Sequence, residues 1–130
     1  MPQLANLDLE AMRCAGRILK DKQDPNEVEK LATKGLGVVV EQGIYAGLLF
    51  FYSKGAVARV FVRELLALAK PLAPPTSEPE ANVPLPGLSY LSECVCADLP
   101  TTLLVKTLWE QTLTYVRYGA KAMEKAEHPE

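Results

Sequence analysis

The sequence predicts an all-α, compact single-domain bundle of about five to six helices, with a long proline-rich loop before the last two. Three observations carry that expectation. Apolar residues recur at three- and four-residue spacing through most of the chain, no stretch alternates polar and apolar residues as a strand would, and the prolines between residues 71 and 86 gather in one block. A length of 130 residues suits one domain with a modest core, so residues 1–130 are read as a single unit.

The first helix is expected over 4–22, where Leu4, Leu7, Ala11, Cys14, Ala15, Ile18 and Leu19 share one face. Asp24-Pro25-Asn26-Glu27 then supplies an acidic N-cap, a proline at the first helical position and a glutamate placed for a capping box. A second helix should run from Pro25 through Val28, Leu31 and Ala32 towards Val40. Gly35 and Gly37 each cost it about 1 kcal/mol relative to alanine, so a kink, or a break near Gly43, is expected.

Residues 42–55 read QGIYAGLLFFYSKG. Ile44, Leu48, Leu49, Phe51 and Tyr52 give this helix a broad apolar face for burial. Gly43 and Gly47, one turn apart, are expected to form a helix-packing notch. Lys54 and Gly55 then provide a cation for the carbonyl end and a residue able to take the left-handed cap. A helix over 57–70 is apolar nearly all round, interrupted by Arg59, Arg63, Glu64 and Lys70, and is expected to be mostly buried. Pro71 ends it, and Pro74, Pro75, Pro79, Pro84 and Pro86 make 71–87 an extended, semi-rigid loop. A short helix over 88–97 follows. The last spans 101–126, with Leu104, Leu108, Trp109, Thr112, Tyr115, Val116, Gly119 and Met123 facing inward, and 126–130 is a frayed tail.

Composition bounds function. Sixteen acidic residues against fourteen Lys and Arg leave the chain slightly negative, whereas a free-standing nucleic-acid binder is usually far more basic. Residues 1–70 hold ten cations against eight acids, 71–100 none against four, so the cations lie on helices and avoid the loop. Three cysteines, with no secretory signal at the N-terminus, point to a reduced, cytoplasmic protein. The apolar stretch 35–52 carries Glu41, Gln42 and four glycines, which argues for buried helices and against a membrane span.

Catalysis is poorly supplied, and a non-enzymatic protein without cofactor or metal is expected. The sole histidine, His128, lies in the polar tail, so no histidine-based triad can be assembled. Cys94 and Cys96 stand about 200° apart on a helix and cannot share an ion without unwinding, so buried thiols acting as small hydrophobes are expected. Phe50, Phe51, Tyr52 and Phe61 lie in apolar runs and read as core.

The cations carry more information. Arg13, Arg17 and Lys20 form one stripe on the first helix. Arg59, Arg63 and Lys70 form a second, and Arg117, Lys121 and Lys125 a third, while Lys54 and Lys34 extend these patches. Such spacing lets a helix offer several charges to successive phosphates, and it also describes an ordinary solvated face.

The 42–55 segment, with its Gly-Ile step, Ala, Leu-Phe run and closing Ser-Lys-Gly, resembles the hallmark of the small helical subunit of the Cmr, type III-B, CRISPR RNA-guided effector complex, the fifth protein of that series. Near the C-terminus Leu113, Tyr115, Arg117, Tyr118, Ala120, Ala122 and Met123 look like that family's final helix. The chain departs from the pattern at Ile44 and Gln42 and in carrying its only tryptophan, Trp109, upstream of the family position. The resemblance implies a non-catalytic subunit in antiviral defence. Copies of it would stack as an inner filament beside the repeated RNA-cleaving backbone subunit and hold guide RNA and target RNA through their phosphates. The RNA-contacting residues would be Arg13, Arg17, Lys20, Lys54, Arg59, Arg63, Arg117 and Lys121. The competing expectation is a small helical interaction or homodimer scaffold protein with no RNA role.

Overall fold

A computed structural model of the chain describes residues 6–21, 24–75 and 85–127, and for Glu127 the backbone alone. Asn6 opens helix α1 (Leu7–Lys20), its side-chain oxygen accepting the Leu9 N–H at 3.0 Å. Asp24 does the same for α2 (Pro25–Gln42), accepting from the Asn26 N–H, with Pro25 in the first turn as expected. Next come α3 (Ile44–Tyr52), a 3-10 turn over Gly55–Ala58, and α4 (Arg59–Ala69). Helix α5 (Pro86–Tyr90) continues into a π-helical turn, Leu91–Val95, closed by the Cys96 N–H donating to the Leu91 carbonyl at 2.7 Å. Helix α6 (Leu99–Glu127) is the last described element, its first turn held by the Asp98 carboxylate, which accepts from the Thr101 N–H and hydroxyl. Among the described residues there are six α-helices and no strand, the all-α bundle expected.

Helix α6 packs along both α1 and α2, and α1 also lies against α4. Trp109, fully buried on α6, donates its indole N–H to the Leu65 carbonyl of α4 at 3.0 Å, and Phe51 of α3 stacks on Phe61 of α4 with centroids 4.9 Å apart.

Helices α2 and α3 form an antiparallel hairpin joined by one residue, Gly43. Its φ of 96° and ψ of 179° belong to a region essentially reserved for glycine. A Cβ there would meet nothing within 4 Å, so Gly43 is not the packing notch expected of it; it makes the reversal. Gly47 is a notch: a Cβ would lie 2.4 Å from Cγ2 of Val39. Gly35, expected to weaken α2, is the other notch, its missing side chain occupied by the Phe51 ring, and α2 runs unbroken through both Gly35 and Gly37. The hairpin closes symmetrically about Gly43, with 39 against 47 and 35 against 51.

Other boundaries shift. The left-handed residue after α3 is Gly55, with φ of 75°, and the 3-10 turn it starts delays α4 to Arg59. Helix α4 is mostly buried, as expected, with its cations gathered on one exposed side: Val60, Phe61, Glu64, Leu65, Leu68 and Ala69 are inside, while Arg59, Arg63, Ala67 and Lys70 are exposed. Leu49 and Met123, both expected inside, are exposed, and so is Cys96. The described ends of the proline loop are tied down by tyrosines: the Tyr90 hydroxyl donates to the Ala73 carbonyl at 2.6 Å, and the Tyr52 hydroxyl accepts from the Gly87 N–H at 3.2 Å. Residues 76–84 of that loop, and His128 in the tail, lie outside the described residues.

Candidate nucleic-acid interface

Glu64 occupies a core register on α4, one turn from both Val60 and Leu68, and is only 8% exposed. A carboxylate so placed needs partners. One of its oxygens accepts from Nε of Arg17 on α1 at 2.7 Å, and the other from Nε of Arg63 on its own helix at 3.1 Å. The Cys14 thiol donates to the Glu64 backbone carbonyl at 3.4 Å. Two arginines from separate stripes are thereby oriented by one carboxylate, and the exposed faces of α1 and α4 become a single basic surface. The hydrogen bond to Glu64 holds the Arg17 guanidinium more firmly protonated than usual. Burial pushes the Cys14 thiol up to about 12, against the lowering influence of Arg17.

Arg13, Lys20, Arg59 and Lys70 complete this surface, all exposed. Arg13 stands 3.6 Å from Glu10, an exposed pair worth little. Glu64 and Glu10 offset part of the charge, leaving the surface cationic.

The face of α4 that carries these cations also walls a groove made of two neighbouring cavities. The first, about 500 Å³, is lined by Arg59, Arg63 and Val62 of α4, Tyr52 of α3, and Leu85 and Pro86. The second, about 280 Å³, is lined by Leu66 and Lys70 of α4 with Tyr52, Pro75, Pro86 and Tyr90. Tyr52 and Pro86 line both, so the two cavities are neighbours on either side of these residues. Leu85, at the lip, holds a left-handed conformation with φ of 53°, and its carbonyl accepts from the Leu88 N–H.

The other sequence-predicted residues lie elsewhere. Lys54 lines a separate hollow of about 300 Å³ with Lys30, Lys34 and Glu27, to which neither Arg59 nor Arg63 contributes, and its ammonium sits 5.2 Å from the Phe50 ring centroid. Arg117 and Lys121 straddle the exposed Tyr118 ring of α6 at 5.3 and 5.8 Å. Nε of Arg117 is buried, with no hydrogen-bond partner among the described residues. In the sequence Glu64 reads as a mere interruption of an apolar helix. Its place in the Val60–Leu68 register was the signal that it had to be paired. Nothing local marked Tyr52 and Pro86 as groove residues, because 34 positions separate them.

Among the described residues no group of His, Cys, Asp or Glu could hold a metal ion, and no helix is long and apolar enough to cross a membrane. Comparison with protein-family models, with curated proteins and with solved structures returned no match for this chain.

Proposed function

We propose that this chain is a non-catalytic small subunit of a type III-B CRISPR effector, holding the phosphate backbones of guide RNA and target RNA through the joined basic faces of α1 and α4. The observation that carries the reading is the shared Glu64 carboxylate: it orients Arg17 and Arg63 side by side, so that two helices present one row of guanidinium groups. Arginine in a fixed array suits phosphate better than scattered lysine does. Base pairing reads the sequence in such an assembly, so the protein need only supply charge and shape. Its partners would be the guide and target RNA, the other Cmr subunits, above all the repeated backbone subunit, and further copies of itself in a filament.

The test is recovery of the tagged protein from its native cells in mild salt. Co-purifying RNAs with a shared repeat-derived 5′ end, together with larger Cmr subunits, are expected, with RNA retention falling by about 0.7 log units per log unit of salt for each phosphate held. Arg59→Glu with Arg63→Glu should abolish that retention while leaving cooperative melting in place. Undiminished retention in this variant would remove the α4 face from the reading.

A second reading, a homodimer scaffold with no RNA role, draws on the exposed apolar residues Val40, Tyr45 and Leu49 at the α2–α3 corner. A clean homo-oligomer recovered without RNA would favour it.

A further inference from the structure

The groove on α4 is not uniformly charged. Arg59, Arg63, Leu66 and Lys70 follow one another along its wall, so an apolar gap falls between cations, and the second cavity opens at that gap. From Arg63 to Lys70 the helix rises about 10.5 Å, at 1.5 Å per residue. The cavity between them is walled by two phenol rings, Tyr52 and Tyr90, and by Pro86 and Leu66, at about 280 Å³. Both phenol hydroxyls are engaged in the hydrogen bonds that tie down the loop ends, which fixes both rings. Flat apolar walls beneath a row of cations match an aromatic ring carried on a chain of phosphates.

We infer that this cavity takes one unpaired nucleobase of a single-stranded RNA whose flanking phosphates lie on Arg59, Arg63 and Lys70. The inference rests on the RNA reading above and adds the chemical class of the strand: an unpaired base enters, whereas a paired one is held in its duplex. The polar groups lining the cavity besides Lys70 are few, Ser89 and Glu93 with the Cys94 thiol, so recognition is by stacking and tolerates any base. An acidic peptide shares the charge pattern but carries a planar ring only where its sequence happens to place one, whereas every nucleotide couples a ring to a phosphate. RNA is therefore the favoured occupant.

The full chain is titrated with a 12-nucleotide RNA carrying one central 2-aminopurine, either single-stranded or annealed to its complement, reading anisotropy for binding and 2-aminopurine emission for the base. The single strand should bind about tenfold more tightly than the duplex and change its emission on binding. Ser89→Trp, which places a ring in the cavity from its rim, should bring single-strand affinity down to the duplex level without altering duplex affinity. Equal affinity for the two forms, or binding with unmoved emission in the unaltered protein, would overturn the base site and leave the backbone reading intact. Failure to bind either RNA would overturn the base site, and absence of RNA from the protein recovered from its native cells would overturn the backbone reading as well. Preference for a peptide of alternating Glu and Phe over the single strand would replace the nucleobase by a protein ligand.

Discussion

Arg17 of α1 and Glu64 of α4, 47 residues apart in sequence, meet at 2.7 Å, and Arg63 completes the node from the other carboxylate oxygen. The carboxylate is nearly buried while both guanidinium groups reach solvent, so the node fastens α1 to α4 with its donors outward.

Glu64→Gln should therefore act on stability more than on RNA affinity. It keeps the shape but replaces a charge-assisted acceptor by an amide that can accept only through its oxygen. A loss of about 1–2 kcal/mol is expected in chemical denaturation, discounted for the exposure of both arginines. RNA affinity should fall only modestly, because Arg17 and Arg63 lose the carboxylate that holds them in one row while a negative charge leaves the basic face. A fall in affinity as large as that of Arg63→Glu would show that Glu64 contacts the ligand side.

Three glycines in one hairpin should respond differently to alanine. Gly43→Ala forces an L side chain into a glycine-only conformation and should cost about 1–3 kcal/mol. Gly47→Ala drives a methyl into Val39 and should also destabilise. Gly37→Ala, on an exposed helical position with open space around it, should stabilise by about 0.5–1 kcal/mol. Thermal melts of the three variants check the order.

Cys14 should be the slowest of the three thiols. Burial raises it from the ordinary 9.0 to about 12, whereas Cys96, though also raised by partial burial, is exposed to reagent. In native protein at pH 8, a disulfide reagent should modify Cys96 slowly but without unfolding, and Cys14 only on unfolding. The same shift sets a pH dependence. Above pH 9 the unfolded chain releases the Cys14 proton while the folded chain retains it, so this contribution is full below pH 9 and is lost as pH rises towards 12. Tyr90, pushed by burial from 10.0 to about 12, adds to the slope from pH 10. Cys14→Ser should flatten the decline that begins at pH 9, measured by denaturation at pH 8, 9 and 10.

Lys54 is set apart from Arg59 by the structure, lying in the hollow of Lys30 and Lys34. Lys54→Glu should leave single-stranded RNA affinity little changed, while Arg59→Glu weakens it markedly and lowers the salt slope by about one phosphate contact. Equal losses from the two substitutions would merge the two patches into one binding face.

Much of the fold was legible because helix signals are local. Asp24 caps where its acid and the following proline signal a start, and Pro25 and Pro71 bracket segments as their backbone chemistry requires, whereas α1, expected from Leu4, is capped by the extended Asn6 and begins at Leu7. Gly43 was legible as a break but not as a reversal, since periodicity says where a helix weakens and not which way the chain then turns. Gly35 shows the same limit. Its intrinsic helix cost is visible in sequence, but the Phe51 ring that fills its place comes from another helix. Of the candidate site, each cationic stripe could be read from its own spacing.

The sequence by itself determined the helices, their approximate ends, the proline block between α4 and α5, and which face of each helix carries its cations. All of these follow from hydrogen bonds, caps and periodicities that span only a few residues. Only the tertiary structure decided which stripes belong together. Arg17 joins Arg63 through Glu64, Lys54 departs to α2, Arg117 and Lys121 turn to Tyr118, and Tyr52 meets Pro86 to form a groove. The physical reason is that packing is settled by shape and burial between surfaces far apart in the chain. Removing Cβ at Gly35 and Gly47, burying Trp109 against Leu65, and satisfying a carboxylate in a core register select one arrangement of helices that no single helix specifies.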